Sequence, residues 1–193
     1  MPQKLRHFRV PEGFRGRSKV EVQLWWIVQE TIFAWSPQFA YPFRAWLLRR
    51  FGATVGRRVL LRPSAKFTYP WKITLGDDVW VGDNAVLYSL GEITVASDSV
   101  VSQGCYLCAG DHDYRVSSFP IRARPITVGS GAWLAADVFV APGVKIEDGV
   151  VVGARSSVFS DLPKNYVCFG SPCKPVKPRE CVDVDLDIGW GRQ

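Results

Sequence analysis

An aliphatic or aromatic residue recurs every six positions through most of this chain, and that period leaves few folds open. The anchors fall in groups of three: Val55, Leu61, Phe67; Leu75, Val81, Leu87; Val95, Val101, Leu107; Val128, Leu134, Val140; Ile146, Val152, Val158. The step within a group is six, the steps from 67 to 75 and from 87 to 95 are eight, and the step from 107 to 128 is eight plus thirteen inserted residues. A second register lies two residues before each anchor, from Ala53 and Val59 through Ser99 and Cys105 to Val150 and Ser156, and every member is apolar or a small Ser or Cys. Side chains two apart on a strand face the same way, so each hexad reads as a short strand with two inward residues followed by a turn.

Three such strands close one triangular coil, and equivalent residues of successive coils stack in columns: Val55, Leu75, Val95, Val128 and Ile146 in one, Leu61, Val81, Val101, Leu134 and Val152 in the next. Strand pairing sets the coils about 4.8 Å apart, so about five coils make a prism about 25 Å tall. Gly56, Gly76, Gly82, Gly129 and Gly153 each follow an anchor, where a tight corner leaves little room for a side chain. A sandwich gives no reason for such a column rule, and a doubly wound fold needs helices for which this region has no space. The expected fold is an all-β solenoid, a parallel β-helix; its handedness does not follow from the period.

Three segments are expected: a basic N-terminal segment and helical cap over 1–52, the β-helix over 53–162 with an inserted loop at 109–125, and a C-terminal extension over 163–193. At 193 residues and 47% hydrophobic composition the chain has material for one domain with a short appendage. Residues 20–35 and 39–50 read as two helices, the second stopped by Gly52, with Pro42 in its first turn. The hairpin they form is expected to cover the end of the solenoid, or to rest on anionic membrane through Trp25, Trp26, Trp35 and the arginines Arg44, Arg49 and Arg50. The formal charge of +6 is concentrated at the start, where residues 1–62 hold twelve Lys or Arg against Glu12, Glu21 and Glu30. That excess suits anionic lipid or a phosphorylated ligand; no nucleic-acid-binding module accompanies it, and nucleic acid is not an expected partner. No apolar run of eighteen residues is free of charge and the first nineteen residues are polar and basic, so neither a signal peptide nor a spanning helix is indicated, and the cytoplasm is the expected compartment. Alternating acids in the tail, Asp183, Asp185 and Asp187, suit an edge strand or a disordered end. The five cysteines and two histidines give no convergent metal set, and no metal is expected.

The stretches "FRAWLLRRFGATVG", "VVSQGCYLCAGDHDY", "PITVGSGAWLAADVFVAPGVKIEDGVVVGARSSV" and "DLPKNYVCFGSPCKPV" resemble the hexapeptide-repeat acyltransferases, within them the colanic acid or exopolysaccharide biosynthesis branch. The resemblance runs from about Val20 to Pro178. It implies a homotrimer of left-handed parallel β-helices that binds acetyl-CoA between neighbouring prisms. It also implies a catalytic histidine on a loop reaching toward the adjacent subunit, which here is His112, inside the one long interruption of the period. An alcohol is a poor nucleophile until its proton is removed, and a neutral imidazole can accept that proton and return it to the departing thiolate. Asp111 and Asp113 flank it in sequence, but a backbone carbonyl would orient the ring equally well. Asn84 matches an asparagine placed near acceptor and acetyl group in sugar acetyltransferases; it could also simply form a corner. The family's cofactor pattern falls on Trp133, Ala136, Ala154, Phe159, Ser160, Lys174 and Lys177. Cys108 reads as a corner or wall residue rather than a nucleophile.

The function these readings imply is O-acetylation of a sugar in cell-surface polysaccharide biosynthesis, on a lipid-linked or nucleotide-activated saccharide acceptor, at the inner face of the membrane. Acetylation of a small molecule such as an antibiotic, an amino acid or a free oligosaccharide is the alternative, and a non-catalytic scaffold is a remote third. A carbonic anhydrase on the same prism would need three histidine ligands, and the chain holds two histidines.

Overall fold

The computed structural model describes residues 3–181, in which a triangular prism of parallel strands carries two helices at its N-terminal end and a two-stranded hairpin at its side. The first face stacks Thr54–Val55, Ile73–Leu75, Ile93–Val95, Ile126–Val128 and Lys145–Ile146; the third stacks Lys66–Phe67, Val86–Tyr88, Tyr106–Cys108, Phe139–Val140 and Ser157–Val158. The second face runs from Leu60–Leu61 to Val151–Val152 and continues into Tyr166–Gly170, against which Cys173–Pro178 folds back antiparallel. Five coils are therefore complete and a sixth is begun, with the second face extending past residue 162. The acidic tail from Asp183 onward lies outside the described residues.

The columns form in the expected register. Val55 lies opposite Leu75, Leu75 opposite Val95, Val95 opposite Val128 and Val128 opposite Ile146. The same holds from Leu61 to Val152 on the second face and from Phe67 to Val158 on the third. All anchors and their partners two residues earlier are buried, Ser99, Cys105 and Ser156 included. Burial pushes the Cys105 thiol up to about 11, as befits a core thiol with no charge to offer.

Corners divide their demands between two positions. Directly after the anchor, space is the limit: a Cβ on Gly82 would lie 2.5 Å from the backbone nitrogen of Gln103 in the next coil. Two residues later the backbone turns left-handed, with φ of 59° at Asp78, Asp98 and Asp137 and 55° at Asn84. Short polar side chains tolerate that region best among non-glycine residues. The role of Asn84 as a corner is thus real, and it coexists with exposure of the side chain.

The cap answers a hydrogen-bonding problem. Each coil donates its amide N–H groups to the next, as Gly56 N–H does to the Leu75 carbonyl, so the anchor carbonyls of the first coil have no coil behind them. Helical side chains supply the missing donors: Arg49 Nε to Val55 at 2.9 Å, Arg44 Nε to Leu61 at 2.6 Å, and Trp25 Nε1 to Phe67 at 2.6 Å. Gln29 Oε1 accepts from the Phe67 N–H at 2.6 Å. Helix α1 (Lys19–Val28) starts on a capping box of Ser18 and Glu21 and passes into a π-helical turn, Gln29–Phe33, shorter than the 20–35 helix expected. Helix α2 (Tyr41–Arg50) ends before Gly52, whose φ of 91° suits only glycine.

This arrangement corrects part of the membrane reading. Trp25 and Arg44 are both fully buried and cannot present themselves to lipid head groups, while Trp26 is half-buried with its indole N–H turned to the Thr68 carbonyl. Trp35 remains outward at 86% exposure. No helix among the described residues is long and apolar enough to cross a membrane.

Candidate active site

The inserted segment is an antiparallel hairpin, Gly110–His112 against Ile121–Ala123, standing at the corner between the third and first faces. Its sides are tied by ions: Asp111 pairs with Arg122 at 2.8 Å and Arg124 at 2.9 Å, and Asp113 with Arg115 at 2.8 Å and Arg122 at 3.4 Å. Partial burial pushes the Asp111 carboxyl upward, but the arginines outweigh it and hold the group below the usual carboxylate range. Hydrogen bonds from Arg115 hold Asp113 well below that range. Both carboxylates are spent on arginine, and neither orients the histidine.

A backbone carbonyl does. His112 Nδ1 lies 2.9 Å from the Phe119 carbonyl oxygen. A carbonyl can only accept, so the bond assigns the proton to Nδ1 and leaves the lone pair on Nε2. The Phe119 ring stacks on the imidazole at 4.2 Å and 6°, and Phe8 approaches with its ring centroid at 5.6 Å. Phe119 adopts φ of 51°, unusual for a bulky residue, and so brings its carbonyl and its ring to one imidazole. Nothing in the sequence marks Phe119 or Phe8 for these roles, because one contact is made across a turn and the other between segments far apart in the chain. Cys108 is half-buried, its thiol directed to the Gly110 carbonyl at 3.1 Å and pushed up by burial, which suits a wall and not a nucleophile.

Asn84 lines a cavity of about 550 Å³ with Tyr41, Arg62, Trp80, Asp83 and Gln103. Its N–H donates to Ser64 Oγ at 3.0 Å. Arg62 and Asp83 pair at 2.7 Å in the wall, and Trp80 is 54% exposed beside them. His112 does not line this cavity. The remaining candidates fall on two prism edges. Ala136 and Ala154 sit in the corners between second and third faces, the edge of Asn84, with Trp133 outward on the adjoining strand and its Nε1 donating to Ser102 Oγ at 3.0 Å. Phe159 and Ser160 sit on the edge of His112, between third and first faces, both exposed. Lys174 and Lys177 are exposed on the final hairpin strand. One chain thus separates its histidine from its asparagine by the width of the third face. The small corners, Ala136 half-buried and Ala154 exposed, and the two exposed lysines fit a pantetheine arm and phosphate groups.

No family model matches the chain. It is 60% identical to the colanic acid biosynthesis acetyltransferase WcaF of Escherichia coli (strain K12) over 177 residues, 92% of this chain and 97% of that one. A galactoside acetyltransferase solved in complex with coenzyme A superposes with a TM-score of 0.78 at 24% identity, covering 88% of this chain and 84% of that one. A maltose O-acetyltransferase from Clostridium difficile 630 does so at 0.76 and 22%, covering 84% and 90%. These two structural likenesses support the fold of left-handed parallel coils, and the 60% identity to WcaF carries the family. The chain belongs to the hexapeptide-repeat acetyltransferases and is closely related to the colanic acid biosynthesis acetyltransferase WcaF.

Proposed function

We propose that the protein transfers an acetyl group from acetyl-CoA to a hydroxyl of a saccharide used in cell-surface polysaccharide, with His112 as general base. The observation that carries this is the bond from Nδ1 to the Phe119 carbonyl, which leaves Nε2 as a proton acceptor on the inserted hairpin. Nε2 takes the acceptor's hydroxyl proton as the oxygen attacks the thioester carbonyl carbon. As the carbon–sulfur bond breaks, the proton passes to the departing thiolate, giving an acetyl ester and CoA thiol. The Asn84 carboxamide, exposed in its cavity, is suited to positioning the acceptor or the developing oxyanion. Trp133, Ala136, Ala154, Phe159, Ser160, Lys174 and Lys177 are proposed to hold the donor. A saccharide acceptor agrees with the names of the relatives, which concern colanic acid, galactosides and maltose.

The split between two edges supports a homotrimer in which the histidine edge of one copy faces the asparagine edge of the next. We further propose that the molecule rests at the inner face of a membrane on the outward side of the cap. Val20, Ile27, Trp35 and Phe39 are between 62% and 86% exposed there, with Lys19, Arg49 and Arg50 exposed nearby.

The test is CoA release with a panel of free and lipid-linked saccharides. His112→Ala is expected to lower kcat by about 10²- to 10⁴-fold with acetyl-CoA affinity kept. A folded variant that binds donor and turns over at the wild-type rate defeats the assignment.

A further inference from the structure

We infer that the N-terminal arm, Lys4 to Arg9, is a working part of the active site: Phe8 seats the catalytic imidazole, and the arm's cations form a subsite for a phosphate-bearing saccharide acceptor. This rests on His112 being the base, and deepens that reading by naming the acceptor's charge.

The arm does not trail from the cap. The segment that follows it is pinned to the prism, where Trp71 Nε1 donates to the Arg15 carbonyl at 2.6 Å and Lys72 Nζ to the Phe14 carbonyl at 2.8 Å. The arm's near end is pinned to the catalytic hairpin, where the Lys4 N–H donates to the Ser117 carbonyl at 2.7 Å. Between them Phe8 is half-buried in a segment that is otherwise exposed from Gln3 to Gly13, and the group it packs on is the imidazole, at 5.6 Å. Phe14, just after the arm, and Ile121, from the hairpin, pack against one small core of Val22, Tyr69 and Leu90. The histidine is therefore held between an aromatic ring of its own hairpin and one from the chain's start.

The charges around it are uneven. On the hairpin, Arg115, Arg122 and Arg124 are matched to Asp111 and Asp113. On the arm, Lys4, Arg6 and Arg9 take part in no ion pair among the described residues. Arg9 caps the carbonyls of Phe8 and Arg6 at 2.8 and 3.1 Å, and Arg6 reaches only the His7 ring. Guanidinium groups with no ion-pair partner among the described residues, one and two positions from the ring that seats the base, are suited to a phosphate or diphosphate, which arginine binds through paired N–H donors. The diphosphate of the donor is the other source of such an anion. In acetyl-CoA, however, the whole pantetheine arm separates it from the thioester that must reach His112, so the arm suits a phosphate on the acceptor.

The chain's two histidines make the test direct, since His7 lies in the arm and His112 on the hairpin. With histidine carrying a ¹³C label, inorganic pyrophosphate titrated into the full chain is expected to shift both imidazole signals along one saturation curve. Arg6→Gln with Arg9→Gln, both at exposed positions, is expected to weaken that binding roughly tenfold or more for each arginine removed. Phe8→Ala is expected to keep pyrophosphate binding at His7 while the His112 signal stops responding. Repeating the titration with the chain saturated in CoA separates the two sources: unchanged affinity assigns the subsite to the acceptor, and displacement by CoA overturns the inference. A shift at His7 alone in the wild type, no shift at all, or equal binding by the double variant overturns it as well. Because none of these readouts needs turnover, failure of His112 as base would appear separately, in the rate of His112→Ala.

Discussion

Burying a guanidinium is costly, and Arg44 offsets that cost only because its donors are spoken for: Leu61 and Pro37 carbonyls, Ser36 Oγ and the Gln38 carbonyl, at 2.6 to 2.8 Å. Burial pushes its pKa below the ordinary arginine value, and no carboxylate compensates. Arg44→Leu would leave those acceptors without a donor, at about 1–3 kcal/mol for each that stays sealed from water. The expected loss is about 2–4 kcal/mol, read as a lower urea midpoint at unchanged slope. A shift too small to measure would show that water replaces the side chain and that the capping role is overstated. Arg44→Lys is expected to rescue little, since one ammonium cannot span a fork of carbonyls. A basic residue on an apolar helix reads from sequence as a surface charge; only the position of the first coil's carbonyls turns it inward.

The inserted hairpin carries the proposed base, and its cohesion is ionic. Asp111 and Asp113 are held below the unfolded carboxylate value of about 4. A depressed carboxyl contributes stability that is present above the unfolded value and lost as pH falls through the folded one. Hydrogen exchange across residues 110–123, corrected for intrinsic rates, is therefore expected to stay level from pH 7 to about pH 4.5 and to rise in stronger acid. Protection already lost between pH 7 and pH 5 would mean that groups other than these carboxylates close the loop. The interruption of the six-residue period located this element, but its strands are polar and short, with no alternation for a sequence reading to catch. Who orients His112 was equally hidden, because a carbonyl is common to every residue and only the left-handed turn at Phe119 aims this one.

For the molecule as a whole, the exposed side of the cap gives the remaining prediction. Vesicles containing anionic phosphatidylglycerol are expected to carry the protein in flotation, neutral vesicles to leave it behind, and Trp35→Glu with Phe39→Glu to abolish the effect without loss of fold. Wild-type protein that stays at the bottom of the gradient with anionic vesicles removes the membrane surface from the proposal. The sequence by itself determined the prism: a period of six with two inward positions is a local rule repeated, and columns follow once strands stack at the pairing distance. It also located the interruption of the stack, inside which His112 lies. Tertiary structure alone decided what the interruption and the ends do. The Phe119 carbonyl, the Phe8 ring and the Arg44 fork act on groups far along the chain or across a turn, and no period or composition encodes which orphaned acceptor a distant donor will meet. Repetition makes the core legible; the hydrogen-bonding debts of its edges are settled only in three dimensions.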